Sequence, residues 1–339
     1  MYTINMSTDA FTAMDKYQLS ALLQANESLG KYNFTQQLEQ TMAAQLGKEK
    51  ALFVPTGYMG NLIAVIVHCN RGDTVLVERN SHIARIQHAA ISSIAGVTLH
   101  CLAGKQGMIQ HDTIEQQILA ATKYSALRLV CLENPHHYSG GSILSLDELH
   151  NIRVLLERKN IALHMDGARL FHASFVQKLP LNQFAESVDS VMVNFNKSYN
   201  APLGAIIAGP AIFIDQARKW RKMLGGTIHK SDLMAATCLA ALHHAGEWMA
   251  DNHRMTEWLA QHLRQLPGIE VNENSPFTNI ITLRVRHHRT NAVRLYEQLG
   301  CNGVKINLLN EHTLHMVVHR EIQESHLERL IFLFAEILK

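Results

Sequence analysis

The sequence lacks several features, and each absence removes a class of function. No apolar run reaches the roughly 18 residues that a membrane-crossing helix needs. The longest stretches, around Leu62–Val67 and Leu330–Ile337, are short and have polar neighbours. The opening MYTINMSTDAF has no basic segment followed by an apolar one, so no signal peptide is expected. Cys69, Cys101, Cys131, Cys238 and Cys301 are odd in number and form no CxxC pair, which points to free thiols in a reducing, cytoplasmic setting. There is no GxGxxG and no Walker GKS or GKT ending, so dinucleotide-fingerprint and P-loop readings fail. No dominant charge of one sign is present: 31 Lys and Arg against 29 Asp and Glu give a net +2, which argues against nucleic acid or an anionic membrane as main partner. RKWRK (Arg218–Lys222) and RVRHHR (Arg284–Arg289) are short and read as solvated faces.

What is present is an ordinary globular composition, 47% apolar over 339 residues. That length exceeds one typical core, so a large domain and a smaller one are expected. Histidine is abundant, 21 residues. The pairs His136–His137, His243–His244 and His287–His288 invite a metal reading, but no HExxH or similar ligand spacing appears, and no metal site is expected.

From residue 50 to 250, short runs rich in Val, Ile and Leu alternate with helical patterns. The runs predict strands at Ala51–Val54, Thr74–Val77, Val97–His100, Arg128–Leu132, Ile161–Met165, Ser190–Val193 and Ala205–Ala208. Helices are predicted at Gly57–His68 and at Leu146–Lys159, where Ser145 and Glu148 would form a capping box. The alternation implies an α/β fold with a mostly parallel, doubly wound sheet. Ligands of such sheets bind beyond the carboxyl ends of the strands. After residue 250 the texture becomes that of a small α+β domain, with a long helix, Ser231–Trp248, joining the halves and another helix at Met255–Gln265. The expected division is an arm over 1–30, a large domain over 31–249 and a small domain over 250–339.

Three signals fall at the right edge of the predicted sheet. HMDGARL (His164–Leu170) puts Asp166 at the end of a strand, followed by Gly167 and Arg169. NFNKSYNAPLG (Asn194–Gly204) puts Lys197 just past another strand, 31 residues after Asp166. A lone loop lysine is ordinarily a solvated surface residue; in a partly apolar cleft its lowered pKa makes it a Schiff-base nucleophile. PTGYMGN (Pro55–Asn61) is a strand-to-helix turn whose backbone N–H groups can cradle a phosphate. Together they describe a ligand with an aldehyde for the lysine, a phosphate for the helix start and a pyridine nitrogen for the carboxylate: pyridoxal 5′-phosphate.

With these residues in hand, the chain resembles the threonine aldolases, within the β-eliminating lyase group of fold type I pyridoxal-phosphate enzymes. The resemblance is carried by ALFVPTGYMGN, VCLENPHHYSGG, LHMDGARLFHA, NKSYNAPLGA and RKWRKMLGG, in that family's order and spacing. It implies an aspartate-aminotransferase-like large domain and a small C-terminal domain. It implies an aldolase that cleaves a β-hydroxy-α-amino acid such as threonine or allo-threonine to glycine and an aldehyde. It also implies a small amino-acid substrate as partner and a homodimer or homotetramer.

Residue by residue, the resemblance makes Lys197 the lysine that holds the cofactor and Asp166 the partner of its ring nitrogen. Gly57, Tyr58 and Met59 become the phosphate turn, with Tyr58 where the family usually has Thr. His82 becomes the histidine stacked on the ring and His136 the one that approaches the substrate hydroxyl, either being the catalytic base. Arg169 becomes a carboxylate ligand. Three departures stand out. The family's LRSDT reads INMSTD here, so Ser7 is the nearest match and the arginine is gone; GGGMRQ reads GGTIHK, with His229 for an arginine; and RLVTH reads HMVVH, with His315 where a second carboxylate-binding arginine is expected. Neutral histidine binds carboxylate less well than arginine, so an alternative is a β-eliminating lyase, racemase or aminotransferase acting on another amino substrate.

Overall fold

The computed structural model describes residues 4–120, 126–272 and 277–339; residues 1–3 of the expected arm lie outside it. The chain divides into two compact units. The larger comprises Met14–His136 and Ile143–His244, the smaller Met1–Ala13, His137–Ser142 and Ala245–Lys339. No helix among the described residues is long and apolar enough to cross a membrane.

The 1–30 stretch contains two regular elements. Strand β1 (Ile4–Asn5) pairs in parallel with Val304–Lys305 in the smaller unit and buries Ile4. The helix Lys16–Glu27 belongs to the larger unit, its start fixed by a capping box between Asp15 and Gln18. The same Gln18 side chain donates to the Tyr199 carbonyl at 2.9 Å and is fully buried.

The larger unit is built on seven strands: β2 (Lys50–Val54), β3 (Thr74–Glu78), β4 (Thr98–Leu102), β5 (Leu127–Glu133), β6 (Ala162–Gly167), β7 (Ser190–Asn194) and β8 (Ala205–Gly209). Each lies where the apolar runs predict it. Their order across the sheet is β2-β8-β7-β6-β5-β3-β4. Only β8 runs against its neighbours β7 and β2; the other pairs are parallel. The reversal has a simple cause: a parallel crossover needs a dozen or more residues, and only residues 195–204 separate β7 from β8.

Strands β7 and β8 are buried along their whole length. The helices Gly57–His68 and Ala211–Met223 supply Ile63, Ala64, Phe213, Ile214 and Ala217 to a core shared with Leu52, Met192 and Ile207. The helix Leu146–Glu157 starts as expected, with Ser145 Oγ accepting from Glu148 N at 3.2 Å. The reciprocal half of the predicted box does not form; the Glu148 carboxylate accepts instead from the His111 backbone N at 2.8 Å.

In the smaller unit, β9 (Ile269–Val271), β10 (Ile280–Val285), β12 (Asn307–Asn310) and β13 (Thr313–Val317) form an antiparallel sheet in the order β12-β13-β10-β9, while β11 (Val304–Lys305) pairs with β1. The helices Ala292–Cys301 and Glu324–Ile337 pack Leu295, Leu299, Leu330 and Phe334 against Leu283 and Leu314. The two helices predicted at 231–248 and 255–265 are one helix, Ser231–Arg264. The intervening MADNHR holds no Gly or Pro to break it.

Candidate active site

The carboxyl ends of the parallel strands gather the polar groups of the larger unit. Strand β3 ends on Glu78, β5 on Glu133, β6 on Asp166-Gly167 and β7 on Asn194. His82 and Lys197 follow β3 and β7 directly, on the short helices His82–Arg85 and Phe195–Ser198.

Asp166 is only 1% exposed. Its Oδ2 accepts from Asn61 Nδ2 at 2.7 Å, and its Oδ1 accepts from the Ala168 backbone N at 3.1 Å. Burial pushes its pKa above the usual carboxylate value and the negative charge of Glu133 adds to this; His82, Lys197 and the Asn61 hydrogen bond pull the other way without cancelling it. A buried carboxylate of this kind calls for a cationic ligand. Gly167 is required beside it, because a Cβ there would lie 2.8 Å from the Met192 carbonyl oxygen of β7.

His82 lies within the electrostatic reach of Asp166, Lys197, Glu133 and Arg169. Burial, the largest influence, lowers its pKa; Asp166 raises it and Lys197 lowers it again. Its backbone N–H donates to Glu133 Oε2 at 2.6 Å, and Gln87 Nε2 donates to its Nδ1 at 3.0 Å. The neutral ring therefore carries its proton on Nε2. Lys197, half-buried, acts on both His82 and Asp166 through its charge. Arg169 is buried at the start of the helix Leu170–Gln177.

His136 is fully buried and donates Nε2–H to Glu78 Oε2 at 3.1 Å. Its Nδ1 has no hydrogen-bond partner among the described residues. Burial alone would lower the His136 pKa, but the carboxylates of Glu133, Glu78 and Asp166 outweigh it and the pKa is raised. The pairing also holds Glu78 below the usual carboxylate range despite its burial. His137 diverges from His136 and belongs to the smaller unit, where its ring packs edge-on against His315 at a centroid distance of 4.4 Å.

The turn Gly57-Tyr58-Met59 opens the helix Gly57–His68, with Thr56 as its cap. Thr56 Oγ1 accepts from Met59 N at 3.2 Å, so a hydroxyl does serve this turn although Tyr58 stands where Thr is usual. The first-turn amides of Gly57 and Tyr58 have no intrahelical acceptor, as the start of a helix leaves them, and suit an anion.

Ser7 and His315 are brought together with each other in the smaller unit. Asn307 Nδ2 donates to the Ser7 carbonyl oxygen at 2.5 Å and lies 3.2 Å from His315 Nδ1. Both residues are buried. His229 is exposed.

Sequence reasoning missed four residues of this site: Asn61, Glu78, Gln87 and Glu133. Asn61, Glu78 and Glu133 are polar residues on a helix or strand that otherwise reads apolar, Gln87 lies between the short helices His82–Arg85 and His88–Ala90, and each is buried. That mismatch was the available signal.

The residues fit pyridoxal 5′-phosphate. Asp166 offers a buried carboxylate for a protonated ring nitrogen, the Gly57 and Tyr58 amides offer a helix start for a phosphate, and Lys197 is an amine within electrostatic reach of Asp166. The mixed sheet with its single reversed strand, bearing this set at its carboxyl edge, defines a fold type I pyridoxal-phosphate enzyme. Residues 5–286 match the β-eliminating lyase family, and the chain belongs to that family.

Among relatives, the low-specificity L-threonine aldolase 1 of Arabidopsis thaliana is 34% identical over 345 residues, covering 99% of this chain and 96% of its own. The low specificity L-threonine aldolase of Escherichia coli K12 is 27% identical, covering 96% of each chain. The structure of Leishmania major threonine aldolase superposes with a TM-score of 0.84 at 18% identity, over 99% of this chain and 100% of that one; at that identity it speaks for the fold. The protein is thus a pyridoxal-phosphate-dependent lyase.

Proposed function

We propose that this lyase cleaves the Cα–Cβ bond of a β-hydroxy-α-amino acid of the threonine type, giving glycine and an aldehyde, and that His136 is its base. The observation that carries the reading is the His136–Glu78 pair. Glu78 fixes the proton on Nε2, so the buried Nδ1 presents a lone pair. That lone pair takes the proton of the β-hydroxyl as the Cα–Cβ bond breaks and the aldehyde carbonyl forms. The imidazolium that results is stabilised by Glu78 and Glu133. Such a base contributes about 10²–10⁴-fold. His82 is less suited, because its Nδ1 is engaged by Gln87 and its Nε2 carries the proton.

The other residues bind and orient. The cofactor, when bound, supplies the electron sink for the pair left at Cα. Lys197 would hold it and give way to the amino group of the substrate. Asp166 would pair with the ring nitrogen and favour its protonated form. His82 would stack on the ring, and the amides at Gly57, Tyr58 and Met59 would hold the phosphate, Met59 sharing its N–H with Thr56. Arg169 takes the substrate carboxylate with a planar fork; Ser7 and His315 are the further carboxylate ligands that the family pattern implies.

The test is product analysis on the cofactor-loaded protein with L-threonine and L-allo-threonine. Glycine and acetaldehyde in equal amounts are expected, lost in Lys197→Ala together with the borohydride-sensitive visible absorption band. 2-Oxobutanoate and ammonia, or the D-configured amino acid, would instead establish the elimination or racemisation that histidine in place of arginine at His315 favours. The free thiols support a cytoplasmic setting, with Cys131 and Cys238 buried. The family pattern implies a homodimer or homotetramer, which sedimentation equilibrium would read directly.

A further inference from the structure

A line of buried polar groups leads away from Asp166 through the core of the larger unit. Asn61 Nδ2 donates to Asp166 Oδ2 at 2.7 Å, and Asn61 Oδ1 lies 3.1 Å from His164 Nε2. His164 Nδ1 is 2.8 Å from Ser190 Oγ, which is also 2.8 Å from His68 Nε2. Asn61, His164 and Ser190 are each 0% exposed. The backbone dictates the alignment. Residues i and i+2 of a strand share a face, as His164 and Asp166 do on β6; residues seven apart on a helix share a face, as Asn61 and His68 do. Ser190 is the register partner of His164 across β6 and β7.

The chemistry of these groups allows one direction of donation. An amide oxygen only accepts, so His164 Nε2 carries the proton. Burial, the dominant influence, pushes the His164 pKa down to about 3 and the His68 pKa down to about 4, so both rings are neutral. His164 Nδ1 is then an acceptor and takes the Ser190 hydroxyl proton. Ser190 Oγ in turn accepts from His68 Nε2–H. Every donor in the line points toward Asp166.

We propose that Asn61, His164 and Ser190 are positioning residues, which together lock the Asn61 amide with its N–H rather than its oxygen on the Asp166 carboxylate, His68 closing the line. The proposal rests on Asp166 being the partner of the cofactor's ring nitrogen only for its bearing on cofactor binding. Without the Ser190 hydroxyl, His164 is free to carry its proton on Nδ1. Its Nε2 then accepts, the Asn61 amide turns to donate to it, and the amide oxygen faces a carboxylate. Alignment of successive hydrogen bonds makes the intact line stronger than its separate members.

The experiment compares the parent with Ser190→Ala, Ser190→Thr and Asn61→Leu in two ways. One readout is the titration of the Asp166 carboxyl in the cofactor-free protein, followed by carbon NMR of labelled aspartate and assigned with Asp166→Asn. The other is the dissociation constant of pyridoxal 5′-phosphate. In Ser190→Ala the Asp166 titration is expected to move up by about one pH unit, and cofactor affinity to fall by about tenfold. Ser190→Thr, which keeps the hydroxyl, restores both. Parental titration in both Ser190→Ala and Asn61→Leu overturns the proposal, as does a shift in Ser190→Ala that Ser190→Thr fails to reverse. A shifted titration with unchanged cofactor affinity upholds the positioning role and instead removes Asp166 from the ring nitrogen. If Asn61→Leu does not fold, the Ser190 pair decides alone.

Discussion

His136 gives its Nε2–H to Glu78 over 3.1 Å and keeps Nδ1 buried without a hydrogen-bond partner among the described residues. A carboxylate that fixes the far nitrogen of an imidazole fixes which nitrogen can act as a base, and it stabilises the cation formed when that base takes a proton.

The pH profile follows from that pair. Glu133 and Glu78 raise the His136 pKa above its ordinary value in spite of burial. A base works only when neutral, so kcat/KM is expected to rise with pH through this elevated pKa. Glu78→Gln removes one negative charge, which moves the acid limb to lower pH, and it lowers the plateau by about tenfold or more because the imidazolium loses its counter-ion. Measuring kcat/KM against pH for both proteins checks this; an acid limb that stays in place in Glu78→Gln removes His136 as the base.

His82 answers to Gln87. The amide donates to Nδ1 at 3.0 Å, and burial keeps the ring neutral with its proton on Nε2. Gln87→Glu replaces the donor with an acceptor, so Nδ1 must carry a proton and the His82 pKa rises. Nitrogen NMR of the imidazole is expected to report the Nε2–H tautomer in the parent and an Nδ1 proton in Gln87→Glu. The same tautomer in both proteins would contradict the assigned hydrogen bond.

How much of this was legible in the sequence depends on whether the signal was local. Six of the seven strands of the large sheet were legible because each is a short apolar run buried over most of its length, as in Ser190–Asn194; β4 is largely exposed and was legible from its apolar run alone. The placement of Lys197, Asp166 and Arg169 at or just past strand ends was legible because motif spacing carries it. Glu78 and Asn61 were not, since their partners His136 and Asp166 are 58 and 105 residues away in sequence. The helix break predicted after Trp248 failed for the opposite reason: a change of texture is not a breaker when no Gly or Pro accompanies it. Glu148 illustrates a third limit. The box pattern was correct for Ser145, but a tertiary partner, His111, took the carboxylate.

Acid should destabilise the fold through the same buried histidines that align Asn61. In the unfolded chain His68 and His164 titrate near 6.5, whereas in the folded chain burial delays protonation to about 4 and about 3. Between those values the unfolded state binds more protons, so stability rises with pH and is lost as pH falls below 6.5. The loss between pH 7 and pH 5 is about 2 kcal/mol for each ring. His68→Phe, whose ring can stack on Phe213 as His68 does at 4.7 Å, should shrink the drop by about that amount. Urea unfolding of the cofactor-free protein at the two pH values measures it; an identical drop in the variant would show that His68 does not resist protonation.

Gly167, inside the DGAR segment, owes its identity to sheet spacing rather than to chemistry. It pairs with Val193 across β6 and β7. A Cβ at this position would meet the Met192 carbonyl oxygen at 2.8 Å and Leu170 Cβ at 3.2 Å. The first of these is backbone, so relief requires β6 to move off β7, carrying Asp166 away from Asn61. Gly167→Ala is therefore expected to cost about 1–3 kcal/mol of stability and to weaken cofactor binding. Gly57→Ala is the informative comparison. Its Cβ would meet Met192 Cε and Sδ at 2.9 Å, the far end of a flexible thioether that can swing aside. Its stability cost is expected to stay below about 1 kcal/mol. Thermal and urea unfolding of both variants would rank them; equal costs would mean that the β6–β7 spacing at Asp166 is not held by the missing side chain.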